Sequence, residues 1–415
     1  MNVTVILEVR YSLAPDGSVW SQDGMACSFW QRYLEVFDRV IVVARAKKIE
    51  QIPEEWSLVT GENIEFRPLP DYLGPWQYLK QSSKLRAALR AAIPKDGAVI
   101  LRVPSQIANV LASELRRQKR PYALELVGDP WEVFAPGAVS HPLRGFFRWY
   151  FSSRLRAQCQ RAVSVAYVTG ETLQRRYPTR GMGVGVSDIE LGAEALSGDA
   201  FWTHYSSIEL GEESISGSPI SPRTRNKYRL VTVGSLAQLY KGTDILIEAV
   251  ARCVSGGLDV QAVVVGDGKY RQTLMRQAQQ AGMGSRIRFV GQVTAGEPVR
   301  RILDASDLFV LPSRTEGLPR AMIEAMARGL PCIGSAVGGI PELLEPGELV
   351  PPGDPVALAG KISEVLRNAP RRGAMSIRNL AKAMEYRNSV LSARRRLFYE
   401  YVYGRTERWQ AGPTR

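Results

Sequence analysis

Short runs of β-branched and apolar residues recur along this chain, and helix-length segments separate most of them. One series lies at 3–9, 40–43, 64–69, 98–103, 123–127 and 163–168, with helix-like stretches at 24–37, 81–93 and 105–118. A cleaner series follows, with strands at 229–233, 260–265, 286–290, 307–311 and 331–334. Helices at 243–254, 269–281, 296–304, 318–328 and 355–367 alternate with it. Such alternation selects a parallel, doubly wound sheet, because parallel neighbours need crossovers and the crossover helices cover both faces. Two series predict two α/β domains. Between them, 211–224 (GEESISGSPISPRT) has no periodicity and reads as a linker. The expected organisation is a first domain at 1–210, a linker at 211–225, a second domain at 226–375 and a C-terminal segment at 376–415. In that segment Leu380, Met384, Leu391, Leu397, Phe398 and Tyr401 predict one helix over 376–402.

Composition narrows the function classes. A chain of 415 residues suits two or three domains, and 45% hydrophobic with 23% charged residues excludes a disordered, collagenous or coiled-coil protein. No apolar run approaches the roughly 18 residues of a spanning helix. The opening MNVTVILEVRYSL has no basic residue before Arg10 and reads as a strand rather than a signal peptide. Cys27, Cys159, Cys253 and Cys332 form no CxxC pair, as expected of a reduced cytosolic protein. Two histidines, His141 and His204, leave little room for histidine-based metal sites or triads.

The net charge of +13 is unevenly spread. Residues 101–180 and 351–415 each hold 13 basic and 5 acidic residues, a surplus of 8 apiece; 1–100 is neutral and 181–350 slightly acidic. Either a polyanionic partner or a solvated basic surface accounts for two such blocks.

Two patterns in the second domain carry chemistry. Strand 229–233 ends in Gly234-Ser235, and Lys241-Gly242 stand just before helix 243–254. Small residues and a lysine at a helix N-terminus form a phosphate-binding device, although Lys241 alone reads equally as a solvated cation. Strand 307–311 runs into Pro312-Ser313-Arg314-Thr315-Glu316-Gly317-Leu318-Pro319 and a helix ended by Gly329. That places Glu316 at the carboxyl end of a strand, where open α/β sheets bind ligands, with Glu324 about two turns further on. Two carboxylates at these levels suit sugar hydroxyls; singly, each would be an ordinary surface residue.

Residues 229–367 closely resemble the nucleotide-binding domain of retaining GT-B glycosyltransferases of family four. The resemblance rests on VTVGSLAQLYKGTDILIEAV (231–250), VVVGDGKYRQTL (263–274), IRFVGQV (287–293) and the run at 305–344 that holds the Glu316, seven residues, Glu324 pair. It implies a GT-B fold: two Rossmann-like doubly wound domains facing a cleft, with a C-terminal helix crossing back to the first. It further implies that Lys241 contacts the donor diphosphate, that Glu316 approaches the transferred sugar, and that Glu324 holds the ribose. The backbone of Gly317 and Leu318 would also face the donor. A second cation often stands where this chain has Ser235, and Arg314 is the substitute expected here.

The first domain matches in architecture only. Gly17, after the first strand, stands where the family usually has a glycine-rich loop over the phosphates; a plain turn is the alternative. The family's catalytic-cleft histidine has no counterpart after strand 123–127. Asp129 is the nearest polar group for the acceptor side, and a helix N-cap is its alternative role. In 143–156 (LRGFFRWYFSSRLR), apolar residues at 143, 146, 147, 150, 151 and 155 keep helical spacing, with Arg144, Arg148, Trp149 and Arg156 on other faces. An interfacial helix on an anionic membrane and a helix packed inward on its sheet are both open.

The expected function is a retaining, metal-independent glycosyltransferase with no cofactor beyond its nucleoside-diphosphate sugar. Its expected acceptor is a lipid-linked or polysaccharide glycan at the cytoplasmic membrane face. A soluble small-molecule acceptor and a nucleotide-sugar epimerase on the same scaffold are the alternatives. A nucleic-acid partner is not expected, since no reader motif is present.

Overall fold

A computed structural model of the chain describes residues 1–22, 25–54, 56–135, 141–180, 201–219 and 227–412. Two compact units form. Residues 1–128, 150–205 and 393–415 make the first, and 129–149 with 206–392 make the second. The interdomain linker expected at 211–225 thus counts with the second unit, and 220–226 lie outside the described residues.

From the N-terminus the elements are β1 (Asn2–Leu13), β2 (Val19–Ser21), α1 (Cys27–Gln31), β3 (Arg39–Lys48), β4 (Ser57–Leu58), β5 (Ile64–Leu69), α2 (Gly74–Ala92), β6 (Ala98–Val103) and α3 (Gln106–Arg117). β7 (Ala123–Leu126), α4 (Pro130–Val133), α5 (Arg144–Cys159), β8 (Ser164–Tyr167), α6 (Thr172–Arg176) and β9 (Phe201–His204) follow. Parallel pairing orders the first sheet β5-β3-β1-β6-β7-β8-β9. The short β2 and β4 add an antiparallel annex at the end of β1. Every residue of β6, β7 and β8 is buried, as a sheet covered on both faces requires.

The second unit contains β10 (Tyr228–Val233), α7 (Thr243–Ser255), β11 (Val260–Val265), α8 (Arg271–Gln280), β12 (Ile287–Gly291), α9 (Glu297–Asp304), β13 (Leu308–Leu311), α10 (Arg320–Ala327), β14 (Cys332–Ser335), β15 (Leu349–Val350), α11 (Pro355–Arg367) and α12 (Ala369–Met384). Its strands run parallel in the order β12-β11-β10-β13-β14-β15. In chain order that is 3-2-1-4-5-6, the doubly wound arrangement, with its reversal between β10 and β13. Ligands of such sheets bind beyond the carboxyl ends of the strands flanking the reversal.

Two expectations are corrected, and the buried face of one further helix is fixed. The helix expected at 376–402 is two helices, α12 and α13 (Asn388–Ala411), broken at 385–387. The break lets Asn388 donate its backbone N–H to the Leu210 carbonyl at 3.0 Å and accept the Leu210 N–H on its side chain at 2.7 Å. From Ala393 onward α13 belongs to the first unit. The stretch expected as helix 24–37 holds only the five residues of α1, which continue as turns into the buried Tyr33 and Phe37. On α5 the buried residues are Ser152, Leu155, Gln158 and Cys159, whereas Leu143, Phe146 and Trp149 are exposed. Polar contacts hold that buried face: Gln158 donates to Asn109 of α3 at 3.0 Å, and Tyr177 donates to Ser152 at 3.3 Å.

Candidate functional site

The loops after β10 and β13 meet at the reversal point of the second sheet. The Lys241 ammonium donates to the Glu316 carboxylate at 2.6 Å, and the Ser313 hydroxyl donates to the same oxygen at 2.7 Å. Both charged side chains are largely buried, at 17% and 7% exposure. Two glycines make this approach possible. Gly242 (φ +70°) lies so close to the Pro312 carbonyl that a Cβ would collide with it. Gly338 (φ +54°) is pressed in the same way on the Glu316 carbonyl, and Gly339 donates to the Gly317 carbonyl at 2.7 Å. The β14 loop therefore sets the position of the Glu316 loop from behind.

Arg314 is not turned to an open anion position. Its guanidinium makes two bonds to Asp244 of α7, at 2.9 and 2.6 Å, and one to the Leu239 carbonyl at 2.7 Å. Its own backbone N–H donates to the Tyr240 carbonyl at 2.7 Å. Arg314 thus ties the Glu316 loop to the Lys241 loop, a bracing role instead of the second phosphate cation expected of it. Ser235 is exposed, and its hydroxyl accepts the Ala237 N–H at 3.2 Å. Gly234 beside it packs on the Lys241 stem, where a Cβ would come within 3.2 Å.

Beyond Glu316, α10 begins after Pro319, with Gly329 (φ +71°) closing its far end. Among the described residues the backbone N–H groups of Gly317, Leu318, Arg320 and Ala321 have no acceptor. They lie at a helix N-terminus, next in sequence to Glu316, and helix N-termini of this kind hold phosphates. Glu324 sits on the same helix, and its carboxylate has no hydrogen-bond or ion-pair partner among the described residues. Burial pushes its pKa up, with Arg320 and Arg300 pulling the other way. A partly buried carboxylate without donors is a position for a ligand that brings hydroxyls.

The remaining expectations resolve locally. Gly17 (φ +85°) closes the β1–β2 turn, donating to the Ala14 carbonyl at 3.0 Å, while the Asp16 carboxylate accepts from Ser18. Asp129 caps α4, its side chain accepting the Trp131 N–H at 2.9 Å. On α5, Arg148 stacks over the Trp131 ring at 3.7 Å and donates to its carbonyl, and Arg156 donates to the Arg176 carbonyl at 3.2 Å. Ser313 had no motif to betray it; only its place, three residues before Glu316, could have suggested a partner.

A profile of the family described as glycosyl transferases group 1 matches residues 227–368. Over these residues, about a third of the chain, the protein is similar to that family. Protein CapJ of Staphylococcus aureus is 25% identical over 343 residues, 82% of this chain and 80% of its own length. The GDP-mannose-dependent monoacylated alpha-(1-6)-phosphatidylinositol monomannoside mannosyltransferase of Corynebacterium glutamicum is 34% identical over 144 residues, 32% of this chain and 37% of that protein. In that comparison the chain matches little more than a third of the relative's length. Among solved structures, sucrose-phosphate synthase from Thermosynechococcus elongatus is similar in fold, with a TM-score of 0.69 at 17% identity over 98% of this chain and 100% of that one. The architecture is GT-B, and the Lys241–Glu316 pair lies within the residues matched by that family.

Proposed function

We propose that this protein is a retaining glycosyltransferase that moves a sugar from a nucleoside-diphosphate sugar to a lipid-linked or polysaccharide glycan at the cytoplasmic membrane face. The Lys241–Glu316 ion pair, beside unpaired α10 N–H groups at the reversal point of the second sheet, carries this reading. A bound diphosphate would draw Lys241 away from Glu316, and the α10 amides would take the remaining phosphate oxygens. The freed Glu316 carboxylate would accept hydroxyls of the transferred sugar, held in place by Ser313. Glu324 would receive the ribose hydroxyls, which supply the donors its carboxylate lacks.

In transfer, the bond from the anomeric carbon to the β-phosphate oxygen breaks as the acceptor oxygen bonds to that carbon on the same face. The acceptor proton passes to the leaving phosphate oxygen. Lys241 and the amides stabilise the charge that develops there, so these residues bind the transition state more tightly than the substrate. The reading calls for no cofactor or metal beyond the donor. Asp129, as an N-cap, takes no step in it. The Corynebacterium relative, named for a GDP-mannose donor and a phosphatidylinositol-linked acceptor, supports a nucleotide-sugar donor and a lipid-linked acceptor. The exposed Leu143, Phe146 and Trp149 support a membrane-side location.

The test is a thermal-shift screen of nucleotide-sugars, with each stabilising donor then offered lipid-linked and soluble acceptors. Transfer by the wild type and none by Glu316→Ala is expected. Wild-type activity in Glu316→Ala would overturn the site, and a new sugar isomer formed from donor alone would indicate an epimerase.

A further inference from the structure

Away from the donor site, the first unit has a cavity of about 280 Å³ between α2, α3 and α5. Its walls include Tyr78, Arg86 and Arg90 of α2, Arg117 of α3, and Tyr150 and Arg154 of α5. We propose that this cavity seats the phosphate of an anionic lipid headgroup, a proposal that rests on the membrane-side reading above and names the groups that make the contact.

Charge is the first support. Glu114 is the cavity's one acidic wall residue, and it pairs with both Arg90 at 3.3 Å and Arg117 at 2.5 Å. Among the described residues Arg86 and Arg154 have no acidic partner. Arg154, a wall residue, lies over the Tyr150 ring at 5.2 Å, a contact that leaves its charge unneutralised. Four guanidiniums against one carboxylate leave a surplus of three positive charges around the space. Planar guanidinium forks suit phosphate oxygens better than ammonium groups do.

Size and surroundings favour a lipid over a soluble anion. Small-molecule pockets run from roughly 300 Å³ upward, so this one suits a headgroup better than a large ligand. On α2, Trp76, Leu79, Ser83, Arg86 and Arg90 follow one another by three- and four-residue steps and so share a face. On α5, Phe146, Tyr150 and Arg154 do the same, with Trp149 beside them. Trp76 is 77% exposed and Trp149 63%, and Leu79 and Phe146 are exposed too. Each helix thus leads from bare apolar side chains into arginine. That sequence matches the order met on entering a membrane surface sideways, with rings at the acyl boundary and cations at the phosphates.

The experiment is cosedimentation of the full chain with vesicles of phosphatidylcholine alone or with about 30% phosphatidylglycerol. The wild type should bind the anionic vesicles selectively. Arg86→Ala with Arg154→Ala should lower that binding about tenfold or more, at about 1 kcal/mol per arginine near the surface. Arg276→Ala with Arg288→Ala, removing the same charge from exposed positions on the second unit, should leave it unchanged. Trp76→Ala with Trp149→Ala should weaken binding in a way that persists at high salt. Equal losses from the two arginine pairs, or no preference for anionic vesicles, would overturn the proposal. So would phosphorus NMR showing that inorganic pyrophosphate occupies the cavity of a protein that ignores vesicles. Failure here with an intact nucleotide-sugar thermal shift would remove the lipid site and leave the glycosyltransferase reading standing.

Discussion

The two sheets of this molecule treat their buried charges in opposite ways. In the first unit, Glu125 of β7 is 2% exposed and saturated: Tyr33 and Tyr205 each donate to it at 2.9 Å, Tyr399 of α13 at 3.4 Å, and Arg102 of β6 forms an ion pair with it. Burial and the Glu125 charge together push the Tyr33 pKa well up, so its proton stays in place as a donor. Glu8 of β1 is similarly filled, accepting from Tyr72, from the Ser105 hydroxyl at 2.8 Å and from the Ile107 N–H at 3.2 Å. In the second unit, among the described residues, the Glu324 carboxylate has no partner and four amides at the α10 start have no acceptor, while Lys241 leans on Glu316. A saturated buried charge holds elements together, and the first unit uses one to fasten α13 to β6, β7 and the turns after α1. An unsaturated set at strand ends is held ready for a ligand.

This contrast predicts separable mutant phenotypes. The largest effect belongs to Lys241→Ala, which should lower kcat/KM for transfer by about 10³-fold, as losing a cation from a developing phosphate charge does. Its thermal midpoint should fall less than that of Arg102→Met, because Ser313 still donates to the Glu316 carboxylate left behind. Next comes Arg102→Met, which strands the Glu125 carboxylate and should destabilise the first unit by about 3–5 kcal/mol in denaturant unfolding. Donor-induced stabilisation of the second unit should survive in it. Arg314→Ala should cost about 1–3 kcal/mol through the lost Asp244 bonds. It should also weaken donor binding, because the Lys241 and Glu316 loops lose their tie.

The smallest effect is the most pointed. Glu324 has its folded pKa raised by burial, so its ionisation opposes folding as pH climbs through that value. Glu324→Gln should therefore raise the donor-free thermal midpoint slightly at about pH 7, and the gain should vanish below the ordinary carboxylate range near pH 4. The same substitution should weaken donor binding. A mutant that gains stability and loses affinity is what an unsaturated functional carboxylate produces; a saturated one, such as Glu125, would lose stability instead.

The same division governs what could be read in advance. In the second unit, 243–254 became α7 (Thr243–Ser255) and 355–367 became α11, because single amphipathic helices and buried strands repeat there without interruption. Glu316 and Lys241 were singled out by their places at strand ends together with the family resemblance, and the structure brings their side chains together. The first unit departs where tertiary polar contacts override local periodicity. Tyr33 must reach Glu125, so the chain leaves α1 early, and Gln158 must reach Asn109, so α5 turns its aromatic residues outward. Nor could spacing reveal that Asn388 hooks Leu210 and divides the C-terminal helix. The basic C-terminal block divides as a result. Residues 393–415 hold 6 basic and 2 acidic residues, so half of its surplus of 8 goes to the first unit and half stays with the second.

The most direct measurement of the central claim is calorimetric titration of the wild type and Lys241→Ala with UDP and GDP. The account predicts that at least one nucleoside diphosphate binds the wild type and that its affinity falls at least about tenfold in Lys241→Ala at a temperature where both proteins are folded. Equal affinity in the two proteins would contradict it.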